Sequence, residues 1–580
     1  MARWPDHDEA VRRAAAELVA QGFAQERPQK HRGRLLEWEG HVIDARINLP
    51  NEFPWVPPEV FLDRVALPRR IPHVESNGKL CLVRAGSLLD GGNPEGLVLD
   101  ALDRARAVVR RGLEGSNDGD FVTEFIAYWD DGADYDAWSI CDLMRSAGPL
   151  YTGQLEDSLV SDTRLLVADE ATSGGAWASR LGRRLSNAGA AYYLPLASPL
   201  SPPEFGERLH LASFCEILEK HASSAAFGAL KSWLKSAPLP ARLLISMPVP
   251  TPSSPKTAFM VTLPSVSEAE LRITRRGWRE GKGPTEREIG LRRHRRLLRG
   301  RVRRADAAYL LPRTGETAGM LTKRVTIIGC GAIGSHLAGL LAAAGVGRLE
   351  LVDKEMLARE NVHRHALGID SVGQYKASAL ARALQQRFPH LEIVGRDEDV
   401  VDTLHTSPAP LEEASLVVVA VGDETLQLKL DSRLQPHVRR LHVWLEPLGI
   451  AQHALLTAMP GTRGCFGCVL GRDGAGALHN TASLAAAGQE LARTIAGCQD
   501  AFFPFSGIDA VHAAVLAAEM VIAALNEAAP EAQLVTRVGS LDRFTASGLK
   551  LSDRAHRLRP GETRVGDFGR RDCPICGPSH

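Results

Sequence analysis

The chain has 580 residues, with 69 basic and 69 acidic side chains and 44% hydrophobic residues. This length leaves room for several domains, and the composition is that of an ordinary globular protein. A net charge of zero excludes a global attraction to nucleic acid or to an anionic membrane. The longest apolar segments, such as 337–344, are shorter than the roughly 20 residues of a membrane span, and no basic start precedes an apolar run. We therefore expect a cytoplasmic protein whose partners are neither membranes nor nucleic acids.

The first 145 residues predict an α+β module. Apolar residues recur at helical spacing through 8–21, and an alternation typical of strands follows through 35–49. A proline-rich turn at 52–61 then precedes a segment that contains His73 and Cys81. This pattern resembles the ubiquitin-conjugating fold over roughly residues 1–145.

The resemblance implies that Cys81 carries a thioester and that His73 is the histidine of the family's His-Pro-Asn element. Val74 and Glu75 replace the proline and the asparagine, and the family uses that asparagine to stabilise an oxyanion. Asn77 is the candidate substitute by position. The alternative is an ordinary α+β binding module in which Cys81 is structural.

Residues 146–300 predict a mixed α/β linking domain without a chemical motif. Short apolar strands, separated by clusters of proline and serine, are predicted at 164–168, 191–196, 241–247 and 258–263. The arginine-dense stretch 272–304 predicts the solvated face of a helix, and a binding groove is the alternative.

A glycine-rich turn after a buried strand predicts a nucleotide site. The strand at 324–328 runs into Gly329, Gly331 and Gly334, and a helix follows at once. Such glycines allow backbone N–H groups to approach a phosphate at the positive end of the helix. Asp353 ends the next strand, about 20 residues later, where a carboxylate accepts hydrogen bonds from ribose hydroxyls. These features alone favour a NAD-dependent dehydrogenase.

The residues that follow favour a triphosphate instead. Asn361, Arg364 and Lys376 place an amide and two cations beyond the ribose carboxylate, where phosphate charge needs neutralising. A further apolar strand ends at Asp423, a position from which a carboxylate can hold Mg²⁺. The alternative is that Asn361 caps a helix and that both cations lie on a solvated face.

This ordered set resembles the α/β, Rossmann-like adenylation domain of the ThiF family, to which ubiquitin-activating enzymes belong. The resemblance covers residues 301–580 and implies ATP and Mg²⁺ as cofactors. The implied roles are ribose binding by Asp353, phosphate binding by Asn361, Arg364 and Lys376, and Mg²⁺ binding by Asp423.

The chain has nine cysteines, and two C-x-x-C pairs among them predict a metal site in a reduced compartment. Each pair can present two thiolates, and together they complete a tetrahedral Cys₄ zinc site. The pairs are Cys465 with Cys468 and Cys573 with Cys576. Members of the ThiF family often carry such a site, which implies structural Zn²⁺; the alternatives are a redox pair or unpaired surface thiols.

Cys498 is the candidate nucleophile of the C-terminal half. It lies in a segment interrupted by glycine and proline that leads into a predicted helix at 510–524. A loop offers exposure, and a helix N-terminus favours a thiolate. Cys498 resembles the crossover-loop cysteine of activating enzymes, which attacks the acyl adenylate. The alternative is a buried, inert cysteine.

The whole arrangement resembles the fusion enzymes of bacterial antiviral operons that signal through cyclic oligonucleotides (CBASS). The resemblance implies adenylation of the C-terminal carboxylate of a tailed protein, namely a cyclic nucleotide synthase or a ubiquitin-like protein. Cys498 would then capture the acyl group, Cys81 would pass it to a target amine, and the chain would form a homodimer through its adenylation domain. Three alternatives remain: an activator of a sulfur carrier or of another ubiquitin-like protein, a dehydrogenase, and a scaffold that binds a tailed protein without consuming ATP.

Overall fold

A computed structural model describes residues 4–82, 88–156, 163–204, 206–249, 256–276, 284–314, 318–435, 437–457, 463–472, 476–494, 501–526, 532–566 and 568–577. These residues form two compact units. The first contains the described residues up to Arg304 except 175–185, and the second contains 175–185 and the described residues from Ala305 onward. The predicted N-terminal domain falls in the first unit, as does the predicted linking domain apart from 175–185, and their boundary at residue 145 stays a prediction.

The N-terminal part of the first unit is an antiparallel sheet with two long helices. Its elements are α1 His7–Ala20, β1 Phe23–Arg27, β2 Lys30–Trp38, β3 His41–Asn48, β4 Glu59–Leu62 and α2 Pro94–Glu114. The strands pair in the order β1-β2-β3-β4, and both helices contribute to one apolar core with the sheet. Asp6 begins α1 by accepting a hydrogen bond from the Glu9 N–H. Gly115, with a φ of +75°, ends α2 in the left-handed conformation that glycine adopts without strain. The predicted α+β module is confirmed.

The rest of the first unit is built around a closed barrel. Its elements are α3 Asp120–Thr123, α4 Phe125–Asp131, β5 Tyr135–Ser139, β6 Gly148–Glu156, β7 Thr163–Ala168, α5 Ala171–Arg180, β8 Arg184–Pro195, α6 Leu211–His221, α7 Ser224–Ser236, β9 Ala241–Pro248, β10 Lys256–Leu263, α8 Glu268–Arg275, α9 Glu286–Gly290 and β11 Leu298–Arg304. The strand order around the barrel is β10-β11-β5-β7-β6-β8-β9. All four predicted strands are present.

The prediction for 272–304 is wrong at its C-terminal end. Leu298–Arg304 is the barrel strand β11, which pairs with β5 and β10. Arg299 is buried there, with its guanidinium 5.7 Å from the centre of the Trp129 ring. An arginine-rich sequence can therefore pack in a barrel when aromatic faces and backbone carbonyls receive its guanidinium groups.

The second unit is a doubly wound α/β sheet with an antiparallel extension. Its elements are α10 Ala307–Leu310, β12 Arg324–Ile328, α11 Ala332–Ala343, β13 Arg348–Val352, α12 Lys376–Arg387, β14 Glu392–Arg396, α13 Val400–Thr406, α14 Ala409–Glu412, β15 Leu416–Val419, α15 Glu424–Arg433, β16 Arg440–Leu445, β17 Ala451–Leu456, β18 Leu470–Arg472, β19 Leu478–Asn480, β20 Arg493–Thr494, β21 Ala501–Phe502, α16 Gly507–Leu525, β22 Gln533–Val538, α17 Asp542–Ala546 and β23 Thr563–Gly566. The sheet order is β14-β13-β12-β15-β16-β17-β22-β23. The first five of these strands are parallel, and the order of connection reverses between β12 and β15. Ligands bind at such a reversal in open α/β sheets.

One described helix, α16, is long and apolar enough to cross a membrane by length and composition alone. The expectation that every apolar segment is too short therefore fails at Gly507–Leu525. Buried core helices pass the same test, and α16 packs on α11, β16 and β17 with Ala513, Ala517 and Val521 fully buried. The apolar surface of α16 is thus packed in the core of the second unit.

Candidate functional site

The turn between β12 and α11 has the geometry of a phosphate-binding loop. Gly329 has a φ of +90°, and a Cβ there would lie 2.7 Å from the Ala420 carbonyl oxygen. A Cβ on Gly334 would lie 1.9 Å from the Gly329 carbonyl oxygen, so α11 approaches the turn as closely as only glycine permits. Gly331 begins the helix without a side-chain cap, and the space beside its Cα is open. The first N–H groups of α11 therefore have room for an anion.

Two side chains hold this loop in place. The Asp353 carboxylate accepts hydrogen bonds from the Cys330 N–H at 2.7 Å and the Glu355 N–H at 2.8 Å. His365 accepts from the Leu367 N–H through Nδ1, so its Nε2–H donates to the Cys330 carbonyl at 2.7 Å. Burial lowers the pKa of His365 and raises that of Asp353. The loop is thus held from both sides by protein side chains.

A cleft of about 400 Å³ opens over the C-terminal ends of the parallel strands. Its apolar walls come from Ile328, Val352 and Val400. Five of the predicted nucleotide-binding residues line it, namely Gly329, Gly331, Asp353, Lys376 and Asp423. Residues that are far apart in the sequence thus lie together in one site. This site has room for a flat base between apolar walls and for phosphates at the glycine turn.

Lys376 and Asp423 bring opposite charges to this cleft. Lys376 begins α12 with a side chain only 7% exposed, and its Nζ lies 2.5 Å from a carboxylate oxygen of Glu355. Asp423 begins α15, where its Oδ1 accepts from the Thr425 and Leu426 N–H groups at 2.8 and 3.1 Å. Its other oxygen makes no hydrogen bond to any described residue and is free for a cation.

Asn361 and Arg364 are not among the residues that line the cleft. The Asn361 side chain accepts from the Ala358 N–H at 3.2 Å at the start of a 3₁₀ turn, which is the capping alternative. The Arg364 guanidinium lies over the Phe505 ring, 4.7 Å from its centre. In this structure both side chains are engaged locally, and their phosphate-binding roles stay a prediction.

Four charged residues of the cleft were not predicted from the sequence. Lys354, Glu355, Glu398 and Asp399 line it, and the Lys354 Nζ lies 2.8 Å from the Asp399 carboxylate. Asp399 follows the C-terminal end of β14. The rule that placed Asp353 and Asp423 at strand ends could have identified it as well.

The four cysteines of the two C-x-x-C pairs converge. All four sulfur atoms lie within 4.8 Å of one another, with Cys465 3.5 Å from Cys573 and Cys468 3.4 Å from Cys576. Sulfurs bound to tetrahedral zinc lie about 3.8 Å apart when each Zn–S bond is about 2.3 Å, whereas a disulfide needs about 2.05 Å. The residues therefore fit a metal ion and not a redox pair.

Asp431 anchors the first cysteine pair to the sheet. Its buried carboxylate accepts from the Phe466 N–H at 2.8 Å and from the Arg440 guanidinium at 2.8 Å. Burial opposes its ionisation, but His442 and Arg440 lower the pKa of Asp431 to about 2. The Phe466 ring stacks on His442 at 4.7 Å. The segment that carries Cys465 and Cys468 is thus positioned by α15 and β16 as well as by the cysteines.

In the first unit, Cys81 lies on a tight hairpin opposite His73. The Cys81 N–H donates to the His73 carbonyl at 2.9 Å, the Glu75 N–H donates to the Lys79 carbonyl at 2.8 Å, and Val74 pairs with Leu80 between them. Cys81 is exposed. Burial of its sulfur and then the carboxylates of Glu124 and Glu75 raise the pKa of the thiol.

His73 is held by residues that were not predicted from the sequence. Its Nδ1 lies 2.8 Å from Glu124 and its Nε2 lies 2.9 Å from Asp120. Its backbone, at a φ of +63°, donates to the Tyr128 hydroxyl at 2.8 Å. Glu124, with Asp120 as the second carboxylate, raises the pKa of His73 against the effect of burial. Both ring nitrogens therefore contact carboxylates, which favour the protonated form of the ring.

A cleft of about 810 Å³ surrounds Cys81. The hairpin, helix α4 and strand β11 line it. Asn77 is among the lining residues, and its side-chain carbonyl accepts a hydrogen bond from the Lys79 N–H. Cys498, the other predicted nucleophile, lies outside the described residues. The structure therefore shows an accessible thiol in a charged cleft.

Comparison with family models matches two parts of the chain. Residues 9–137 match the prokaryotic E2 family B, and residues 310–557 match the ThiF family. The two matches fall on the sheet module that carries Cys81 and on the α/β unit that carries the nucleotide cleft.

The curated relatives match either nearly the whole chain or a short part of it. An ATP-dependent ubiquitin transferase-like protein Cap2 from Pseudomonas aeruginosa is 27% identical over 538 residues, which are 90% of this chain and 88% of that protein. Adenylyltransferase and sulfurtransferase MOCS3 from Mus musculus is 39% identical over 101 residues, 17% of this chain and 22% of that protein.

Among solved structures, Escherichia coli MccB with ATP covers 45% of this chain and 68% of that chain, at 18% identity and a TM-score of 0.33. The assignment therefore rests on the sequence matches, which span both units. The chain thus combines a part similar to the prokaryotic E2 family B with a part similar to the ThiF family, and it is an ATP-dependent adenylating and conjugating enzyme.

Proposed function

We propose that the protein activates the C-terminal carboxylate of a tailed protein with ATP and transfers it through Cys498 and Cys81 to a target amine. The observation that carries this proposal is the convergence of the glycine turn, Lys376, Asp353 and Asp423 in one cleft, in a chain that also presents an exposed cysteine on an E2-like hairpin. In the first step the carboxylate attacks the α-phosphate of ATP, pyrophosphate leaves, and an acyl adenylate forms.

Within this cleft the α11 N-terminus and Lys376 would neutralise phosphate charge, and the free oxygen of Asp423 would hold Mg²⁺. Asp353 would accept the ribose hydroxyls. Asn361 and Arg364 would join the phosphates only by leaving their present contacts with Ala358 and Phe505. Bound Mg²⁺ would supply charge neutralisation at the leaving pyrophosphate.

The relay follows from the chemistry of thioesters. Cys498 would attack the adenylate and release AMP, and Cys81 would take the acyl group by thiol exchange, so the activation energy stays in a thioester until an amine arrives. The raised pKa of Cys81 keeps the thiol protonated at rest. The Cys81 sulfur is correspondingly a poorer leaving group when it carries the acyl group as a thioester.

The experiment combines the full chain, ATP, Mg²⁺ and the protein encoded by the neighbouring gene. Non-reducing gels should reveal adducts that an added thiol cleaves, and ATP–pyrophosphate exchange reports adenylation alone. Cys81→Ala should keep pyrophosphate exchange and one thioester, and Cys498→Ala should keep pyrophosphate exchange and lose both thioesters. Intact adducts in both variants would refute the relay.

We further propose that the activated protein is a cyclic nucleotide synthase in cytoplasmic antiviral defence, because the Cap2 relative matches nearly the whole chain. The MOCS3 match favours a second candidate, an activator of a sulfur carrier. Only the second candidate has no use for the E2-like module. Loss of the final conjugate in Cys81→Ala would support the first candidate and exclude the second.

We propose Zn²⁺ as the ion of the Cys465, Cys468, Cys573 and Cys576 cluster, on the basis of the sulfur spacing given above. The ion would tie the end of the chain to the core beside Asp431. Metal analysis should find one zinc per chain in the wild type. It should find none in Cys573→Ser, with a lowered melting temperature.

We also propose a homodimer through the second unit. The outer face of α16 exposes Ile508, Val511 and Val515 at helical spacing, and Phe503 is half exposed just before it. A row of exposed apolar side chains of this kind is typical of an interface. Ile508→Glu should convert a dimer to a monomer in light scattering, and Val65→Glu, an exposed apolar residue of the first unit, should not.

A further inference from the structure

Glu75 shares the hairpin with Cys81 and faces the same side. In an antiparallel pair, opposite residues point the same way, and residues two apart on one strand do so as well. Glu75 is opposite Lys79, and Lys79 is two residues from Cys81. Both Glu75 and Cys81 line the 810 Å³ cleft. The Glu75 carboxylate is also one of the charges that raise the pKa of the Cys81 thiol, which agrees with this proximity.

Glu75 is the carboxylate of this cleft that remains uncommitted. It is exposed, and no described residue donates a hydrogen bond to its side chain or forms an ion pair with it. The other acids are engaged: Glu124 binds His73, Asp130 pairs with Arg301, and Asp131 accepts from the Ser76 hydroxyl at 3.0 Å.

The charged groups of the cleft set its character. Besides Glu75, the titratable side chains that line it are those of His73, Cys81, Glu124, Tyr128, Asp130, Asp131, Arg301 and Arg303. Lys79, on the same hairpin, also acts electrostatically on the Cys81 thiol. Lys79 is neutralised by Glu59 at 2.6 Å, and Arg301 by Asp130. The hairpin side of the cleft therefore offers a free carboxylate beside the sulfur, which suits a cationic group better than an anionic one.

We propose that Glu75 binds the acceptor as a primary alkylammonium ion, such as a lysine side chain, and takes one proton from it. This inference rests on the proposed function, because it assigns the acceptor step of the same relay. It gives a role to the residue that stands where the E2 family has the asparagine of its His-Pro-Asn element.

The step balances as follows. Glu75 takes one proton from the ammonium ion and leaves a neutral amine. The amine nitrogen attacks the thioester carbonyl, a C–N bond forms, and the C–S bond breaks with its electron pair going to the Cys81 sulfur. The second proton of the nitrogen goes to that sulfur, which becomes the thiol again. Glu75 then returns its proton to solvent, so the products are an amide, a thiol and one proton.

The need for a base follows from the acceptor. A lysine amine has an ordinary pKa of about 10.4, so only about one molecule in 10³ is uncharged at neutral pH. A positioned base contributes about 10²–10⁴-fold to such a step. A neutral nucleophile such as hydroxylamine needs no such proton transfer before attack and should not depend on Glu75.

The test is single-turnover discharge of the Cys81 thioester. The full chain is loaded with the neighbouring-gene protein, freed of ATP by desalting, and mixed with L-lysine or with hydroxylamine. Glu75→Gln should load normally, discharge to lysine about 100-fold more slowly at neutral pH, and discharge to hydroxylamine at the wild-type rate. The lysine defect should shrink as the pH rises toward the pKa of the amine. Glu75→Asp should restore part of the rate, and Glu26→Gln, an exposed acid on β1, should behave as the wild type.

Each outcome decides between the proposals. If wild-type protein forms no thioester on Cys81, both the relay and the role of Glu75 are refuted. If the thioester forms and Glu75→Gln discharges to lysine at the wild-type rate, the relay stands and the role of Glu75 is refuted. Equal slowing toward lysine and hydroxylamine would mean that Glu75 only shapes the hairpin, which also overturns the proposal.

Discussion

Replacing Gly334 with alanine should damage the nucleotide cleft although it strengthens the helix locally. Gly334 lies in α11, where alanine is favoured over glycine by about 1 kcal/mol. The added methyl group would lie 1.9 Å from the Gly329 carbonyl oxygen and 3.0 Å from the Gly329 carbonyl carbon. Both are backbone atoms, so no side-chain rotation relieves the overlap. Gly329 cannot move away, because the side of its Cα where a Cβ would lie already faces the Ala420 carbonyl oxygen.

The size of the effect follows from this conflict. Overpacking of a close contact costs about 1–3 kcal/mol, and the loop must move to reduce it. If that cost falls on the binding-competent loop, ATP affinity drops by about 5- to 150-fold. Gly339 in the same helix is the matched control, because the nearest atom to its added Cβ is Leu384 Cδ2 at an ordinary 3.8 Å. Gly339→Ala should therefore stabilise the protein by about 0.5–1 kcal/mol and leave binding intact.

Binding of a fluorescent ATP analogue and ATP–pyrophosphate exchange measure the effect, and thermal unfolding of each variant reports stability. Gly334→Ala should weaken binding and Gly339→Ala should not. Wild-type affinity in Gly334→Ala, with raised stability in both variants, would show that the glycine turn does not hold the nucleotide.

Three further predictions follow from the contacts described above. Lys376→Ala removes the buried cation of the cleft and should lower pyrophosphate exchange by about 10²–10³-fold with little change in circular dichroism. Glu124 and then Asp120 raise the pKa of His73 against the effect of burial. The stability that the protonated ring contributes is therefore complete below the ordinary pKa of about 6.5 and is lost as the pH rises through the folded pKa. The difference in melting temperature between wild type and His73→Gln should narrow as the pH rises above about 6.5. Asp431→Asn leaves buried Arg440 without its partner and should destabilise the second unit by about 3–5 kcal/mol in urea unfolding.

The strands and the glycine turn could be predicted because local pattern and chemistry agree there. The strands 324–328 and 348–352 have the predicted bounds, and Asp353 and Asp423 meet where the ends of parallel strands must meet. Asn361 illustrates the limit: its order in the sequence fits a phosphate ligand, yet the amide satisfies a local N–H in this structure. Short polar side chains have such local partners available, and sequence order alone does not decide between them.

The barrel was beyond prediction because its closure depends on pairings between distant strands, such as β11 with β5. The same holds for the partners of His73. Nothing in the sequence around His73 indicates that Asp120 and Glu124, more than 40 residues later, hold its ring.

Helix α4 and the residue before it connect the hairpin of His73 and Cys81 to the barrel. Phe125 and Trp129 on one side of α4 belong to the barrel core, where Phe259 packs on both rings at 4.9 and 4.4 Å. Glu124 and Tyr128 hold His73 beside Cys81. A shift of α4 in the barrel would therefore move the side chains that hold His73 beside Cys81, since packed cores do not deform smoothly. Residues 9–137, which match the E2 family, contain the side chains that contact His73, whereas Phe259, on which α4 packs, lies in the barrel outside that match.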